Sequence, residues 1–160
     1  MPNKPKHSHS DRDKIYTPEI LVKDLIKKIP ANENDSWCDA CYGAGVFYKN
    51  FPTDNRDYYE IDLDKDFLAC DKKYDWVVTN IPFSMPKEFI FKMAETCIKG
   101  FGILCLANSM TATRLGKLGE MGLYINSITV LYVKDWGFGY RTDFYVFTRE
   151  KHKDFEVRII

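Results

Sequence analysis

The 160 residues carry 23 Lys and Arg against 23 Asp and Glu, a formal net charge of zero, which disfavours a protein that grips duplex nucleic acid through phosphate contacts alone. Ten Tyr, eleven Phe and three Trp supply enough large apolar surface to exclude disorder of the whole, and the length suits one domain with a real core. No apolar run reaches bilayer length, no signal segment opens the chain and the five cysteines are odd in number, so a cytoplasmic protein with no membrane partner and no disulfide framework is expected.

Residues 1–14 mix Lys4, Lys6, Arg12 and Lys14 with Asp, Ser, His and Pro and show no apolar period; they are expected to form a flexible arm. From Tyr16-Thr17-Pro18 the character changes. Thr17 is placed to cap a helix with Pro18 at its first position, and Val22, Leu25, Ile26 and Ile29 then repeat at helical spacing up to Pro30. Trp37–Cys41 reads as a first strand running into Tyr42-Gly43-Ala44-Gly45, the glycine-rich turn that opens nucleotide-binding α/β folds. Tyr48 stands where the third glycine of a dinucleotide fingerprint belongs, which argues against NAD. Cys38 and Cys41 have CxxC spacing, but no second pair completes a tetrahedral site, and buried packing is the expected role.

Asp57–Ile61 reads as the second strand, and Glu60 near its end lies where such folds place an acid on ribose hydroxyls. Asp66-Phe67-Leu68 follows too soon for a crossover helix, so the third strand of the usual fold is expected to be reduced or absent. The apolar run Trp76–Thr79 suits a central buried strand, and Asn80-Ile81-Pro82-Phe83 falls just past its carboxyl end, where open α/β sheets bind ligands. Ser84 is expected to cap a helix over 86–99 whose Phe89, Ile90, Met93, Ala94, Cys97 and Ile98 face inward, with Gly100 ending it. Phe101–Ala107 reads as another parallel strand. Tyr124–Val133 and Phe144–Thr148 read as a hairpin around a turn bearing Trp136, Phe138 and Tyr140. The expected fold class is α/β: a Rossmann-like, mostly parallel sheet closed by an antiparallel hairpin, with residues 15–160 as a single domain.

In order, Tyr16-Thr17-Pro18, Asp39-x-x-x-Gly43-x-Gly45, Glu60-Ile61-Asp62, Asp66-Phe67-Leu68 and Asn80-Ile81-Pro82-Phe83 resemble the motifs of class I S-adenosylmethionine-dependent amino-methyltransferases. The resemblance is nearest to small phage-like N6-adenine DNA methyltransferases. It implies S-adenosyl-L-methionine as cofactor and no metal. Tyr16 and Thr17 would border the methionine end, with Thr17 on its carboxylate. Asp39 would hold the amino group, and Gly43 and Gly45 would let the backbone turn beneath it. Glu60 would take the ribose hydroxyls, with Asp62 as competitor, while Asp66 and Phe67 would receive the adenine.

The same resemblance gives the catalytic segment separate jobs. The Asn80 side-chain oxygen and the Ile81 carbonyl would accept the hydrogens of an adenine amino group, Pro82 would fix the turn and Phe83 would stack on an extruded base. Ile81 stands where the family pattern has its first proline, and Asn-Ile-Pro-aromatic is also similar to rRNA adenine dimethylases. DNA is therefore the first expectation and RNA the second. No segment is assignable to a separate target-recognition domain, so the expectation is a homodimer, a recognition partner or action with low specificity. Rival readings are a catalytically silent cofactor-binding subunit and an enzyme that methylates a protein glutamine. Arg114, Lys117, Lys134 and Arg141 are the candidate phosphate contacts.

Overall fold

The computed structural model describes residues 16–133 and 141–152. The arm expected over 1–14 and the turn bearing Lys134, Trp136, Phe138 and Tyr140 lie outside the described residues. In chain order the elements are α1 (Glu19–Ile26), β1 (Trp37–Asp39), α2 (Val46–Asn50), β2 (Arg56–Tyr58), β3 (Tyr74–Asn80), α3 (Pro86–Thr96), β4 (Cys97–Leu106), α4 (Ala112–Glu120), β5 (Tyr124–Leu131) and β6 (Thr142–Thr148). The strands form one sheet in the order β2-β1-β3-β4-β6-β5. β1, β2, β3 and β4 run parallel, and β6 lies antiparallel to both β4 and β5.

β3 sits in the middle because its side chains on both faces are apolar, and every residue but Asp75 and Asn80 is buried. On one face Trp76 and Val78 pack with Val22, Leu25, Ile26 and Ile29, the helical stripe read from the sequence. On the other, Val77 packs with Ile90 and Met93 of α3 and with Phe101, Ile103 and Phe147. At the amino end of β3 the Trp76 indole N–H donates to Asp35 Oδ2 at 2.8 Å, and Lys99 is salt-bridged to the same carboxylate.

The link from β2 to β3 holds two 3₁₀ turns, Ile61–Leu63 and Phe67–Ala69, in place of a helix and a third strand. That agrees with the spacing argument. Among the described residues, β2 is therefore one edge of the sheet.

Several boundaries differ from expectation. The cap of α1 is Pro18, with no side-chain cap bond, so Thr17 lies one residue outside the helix. β1 stops at Asp39 and β2 at Tyr58, which leaves Glu60 beyond its strand. Met85, not Ser84, precedes α3, and the helix ends at Thr96. Cys97 and Ile98 thus belong to β4, Cys97 buried and Ile98 exposed. Gly100 is likewise a strand residue: a Cβ there would stand 2.1 Å from the Phe147 carbonyl oxygen and 2.7 Å from the Trp76 ring. Arg149 donates from its guanidinium to the carbonyls of Cys97, Ile98 and Met121 at 2.9, 3.1 and 2.7 Å, tying the start of β4 to the end of α4.

Gly100→Ala must push β4 away from backbone rather than from a yielding side chain. The expected loss is at least about 1–3 kcal/mol, read from urea denaturation; an unchanged midpoint would mean that the strands separate there at little cost.

Candidate active site

β1 ends on Asp39, and the chain then turns sharply through Ala40–Gly45 to enter α2. Gly45 makes the turn with φ +76°, and a Cβ on it would lie 2.5 Å from the Tyr42 ring, so this glycine is needed for packing inside the loop. Gly43, at φ +51°, differs. A Cβ there would meet only the Cys41 carbonyl oxygen at 4.0 Å and would project into open space.

That space is a cavity of about 330 Å³ past the carboxyl ends of β1, β2 and β3. Of the residues singled out from the sequence, Tyr16, Thr17, Gly43, Glu60, Asp62, Asn80 and Pro82 line it. Tyr16 is largely exposed and Thr17 is buried. The Glu60 carboxylate ties the walls together: Oε2 accepts from the Gly43 N–H at 2.8 Å and Oε1 from the Asp62 N–H at 3.3 Å.

Asn80 closes the opposite side, its Nδ2 donating to Thr17 Oγ1 at 3.2 Å. Ile81 is buried, and its N–H donates to the Leu104 carbonyl of β4 at 3.3 Å, which anchors the segment on leaving β3. Pro82 starts a turn in which its carbonyl accepts from the Met85 N–H at 3.3 Å, with Phe83 half-buried at the bend.

Asp39 does not line the cavity. It is fully buried beneath it, with Oδ1 accepting from the Thr79 hydroxyl at 2.7 Å and the Cys41 N–H at 3.2 Å, and Oδ2 from the Tyr48 N–H at 3.2 Å. Burial pushes its carboxyl up to about 6, against the pull of these donors and with a further push from the Glu60 charge. A carboxylate so enclosed holds the glycine loop against β3 and is not presented to a ligand.

Asp66 and Phe67 are also displaced from their expected places. They line a second, narrow cavity of about 10 Å³ that shares Cys41 and Glu60 with the first, a space on the scale of one water. Asp66 caps the second 3₁₀ turn through the Leu68 N–H at 2.9 Å, while Phe67 is buried and stacks on Phe89 with ring centroids 6.1 Å apart. In this arrangement both serve packing, and neither offers a slot of nucleobase size.

Sequence reasoning missed part of the wall: Cys41, Tyr42, Ala44, Val46, Phe47 and Leu63. Leu63 carried a signal, as the one large apolar side chain in Asp62-Leu63-Asp64, and it is 55% exposed at the cavity rim. Tyr42 was legible only as a neighbour of the glycines. Of the candidate phosphate contacts, Arg114 is turned inward onto the Ser109 carbonyl at 2.7 Å and Arg141 is paired with buried Asp143 at 2.8 Å.

The fold, with this strand order and a ligand-sized cavity at the carboxyl ends of its central strands, is the Rossmann-like methyltransferase fold. The chain is similar to the Type I restriction enzyme EcoKI M protein (TM-score 0.63, 16% identity, 83% of this chain and 43% of that one). It is similar also to the magnesium protoporphyrin IX methyltransferase ChlM of Synechocystis PCC 6803 with bound SAM (TM-score 0.62, 13% identity, 82% and 79%). A third likeness is to the tRNA m1G37 methyltransferase of M. jannaschii (TM-score 0.60, 18% identity, 84% and 48%). The chain therefore spans about half the length of two of these three proteins. No protein-family model matches the chain, and no curated protein matches its sequence.

Asp39 has a pH consequence. Its folded pKa of about 6 lies above the unfolded value of 3.8, so the folded state binds the proton more tightly. The contribution is fully present below about pH 3.8 and is lost as pH rises through about 6. Asp39→Asn removes this titration and sets an amide N–H against a donor. The variant should be less stable at pH 7 by about 1–3 kcal/mol, and the gap should widen by on the order of 1 kcal/mol at pH 5. Chemical denaturation at both pH values measures it, and an unchanged gap would refute a raised pKa.

Proposed function

We propose that this protein is an S-adenosylmethionine-dependent methyltransferase that places a methyl group on the exocyclic N6 of adenine in DNA. The observation that carries the reading is one cavity bordered on one side by Gly43 and Glu60 and on the other by Asn80 and Pro82 at the end of β3. Open space over left-handed Gly43 fits a cofactor that needs close backbone approach, and the bound SAM of the similar ChlM structure supports the same assignment. Glu60 would take the ribose hydroxyls, Asp62 and Leu63 would border the ribose and adenine, and Thr17 would meet the methionine carboxylate.

When bound, S-adenosylmethionine would supply a methyl carbon on a sulfonium, so that the N–C bond would form as the C–S bond breaks, with a neutral thioether as leaving group and the displaced amino proton passing to solvent. Residues of the chain then need to orient an acceptor whose lone pair is delocalised into the adenine ring. Asn80 Oδ1 and the Ile81 carbonyl accept the two amino hydrogens, draw the nitrogen toward tetrahedral geometry and aim its lone pair. Pro82 holds that carbonyl in place. Phe83, at the bend of the following turn, stacks on the extruded base, a contact worth roughly 1–3 kcal/mol.

Transfer of labelled methyl from the cofactor to a mixed pool of duplex DNA, single-stranded DNA and RNA, followed by nucleoside analysis, tests the reading. N6-methyladenine in the DNA fraction is expected, and Asn80→Ala should lower the rate by about 10²-fold or more while leaving cofactor affinity within a few fold. Label confined to RNA would move the substrate to the second reading, which Ile81 favours. Activity untouched by Asn80→Ala would overturn the mechanism.

A further inference from the structure

The two edges of the sheet are finished in different ways. β2 is three residues long and half-buried, with Arg56 over Tyr48 and Lys65 over Tyr58; a short edge with charged side chains beside it guards against pairing with another chain. β5 is the other edge among the described residues. It spans eight residues, and the run 124–133 in which it lies holds no charged residue, no proline and no glycine. Its irregularity, between Ile125 and Ser127, falls near the start and leaves 127–131 in regular register with β6.

Side chains along that regular stretch are sorted by face. Thr129 and Leu131 stand opposite Phe144 and Thr142, and Leu131 packs on the core that α1 covers. Ile128 and Val130 stand opposite Tyr145 and Asp143 on the other face, and the alternation carries on to Tyr132. These three are 37%, 61% and 91% exposed. Three apolar side chains at two-residue spacing thus border a strand edge on which no described strand is seated.

Charge selects the occupant. A strand without charged side chains has nothing with which to recognise a charged partner, and paired antiparallel with a copy of itself it sets no like charges opposite one another. The formal net charge of the chain is zero, so two copies meet without long-range repulsion. Self-pairing about a two-fold axis is also a closed arrangement, since each copy uses this edge once and recruits no third copy through it.

We propose that β5 is a self-association surface: it pairs antiparallel with β5 of a second copy about a two-fold axis through Val130, so that Val130 meets Val130 of the partner subunit and Ile128 meets Tyr132 of the partner subunit. A β-branched residue opposite an aromatic one is a favourable cross-strand pair. β5 runs parallel to β4, because each is antiparallel to β6. The two copies therefore direct the carboxyl ends of their central strands, and the cavities there, to opposite ends of the joined sheet. Neither copy completes the cavity of the other, so the inference stands apart from the methyl-transfer reading. One strand pair is small beside a standard interface of about 1,600 Å², and the association is concentration-dependent rather than obligate.

Sedimentation velocity of the full-length chain, over concentrations from about 5 to about 500 µM that bracket a weak association, should show a mass rising from 18.7 kDa toward twice that value. Val130→Lys and Val130→Glu each set like charges face to face at the axis, at a position exposed enough to accept them, and each variant alone should stay at the monomer mass throughout. An equimolar mixture of the two should associate again, which pairing at Val130 requires and a general loss of stability does not produce. A wild type that stays at the monomer mass would overturn the proposal, whether the edge is then bare or covered by another part of the chain. Association that persists in both single variants would place the interface elsewhere, and a mixture that stays monomeric would sink the two-fold pairing.

Discussion

The hydrogen bond from the Thr79 hydroxyl to Asp39 Oδ1, 2.7 Å long and wholly buried, is the constraint on which the candidate site depends. β1 is three residues long and pairs with β3 only at Trp37 opposite Trp76 and Cys38 opposite Val77. On the β2 side pairing continues through Asp39 opposite Tyr58 and the Tyr42 N–H donating to the Tyr59 carbonyl at 2.9 Å, but on the β3 side it stops there. The Asp39 carboxylate takes over, gathering the Thr79 hydroxyl and the N–H groups of Cys41 and Tyr48, while Cys41 N–H is also within 3.1 Å of Thr79 Oγ1. Gly43 and Asn80 hold fixed places because each lies a few residues from one end of this bond. The cost is a desolvated charge, which the protein offsets with three donors rather than with a cation.

Replacing a crossover helix and a strand by two short turns leaves the β2 edge to be covered in another way. Aromatic side chains do it: Tyr42 packs on Tyr58 at 4.4 Å and Tyr48 on Tyr58 at 5.2 Å, with Arg56 over Tyr48 and Lys65 over Tyr58. Lys65 also reaches Asp57 at 3.1 Å and pairs by its backbone with Glu60. Burial works to raise the Asp57 carboxyl, but hydrogen bonds from Tyr74 and Lys65 outweigh it and hold it at about 2. The chain reversal that delivers Glu60 to the cavity is thus held by backbone bonds from Leu63 and Lys65 to the Glu60 carbonyl and flanked by tilted and edge-on ring contacts and by the Lys65 side chain.

What could be read in advance follows from which forces are local. The apolar stripe Val22, Leu25, Ile26, Ile29 and the run Trp76–Thr79 specify their elements through periodicity and burial, and both are where they were expected. Boundaries depend on competition. Thr17 is a good cap in isolation, yet its hydroxyl bonds Asn80; Gly100 has the place of a helix stop, yet its missing Cβ serves the approach of β4 to β6. Asp39, Asp66 and Phe67 fit a ligand pocket by position in sequence, but whether a side chain faces a cavity or the core is decided by partners far along the chain, here Thr79 and Phe89. Leu63 was passed over because an exposed leucine has no periodic signature.

Fold and site carry unequal information about the substrate. Proteins with this fold include one named for a porphyrin and one named for a tRNA, so the sheet cannot choose between acceptors. Charge narrows the choice only a little, since the formal net charge is zero and Arg114 and Arg141 are committed to partners within the chain. Under the proposed reading, discrimination would then rest on the few groups that meet the acceptor itself: an amide whose donor end is held by Thr17, a carbonyl anchored through Ile81, and the ring of Phe83. Such a constellation selects by hydrogen-bond pattern and ring shape rather than by phosphate contact.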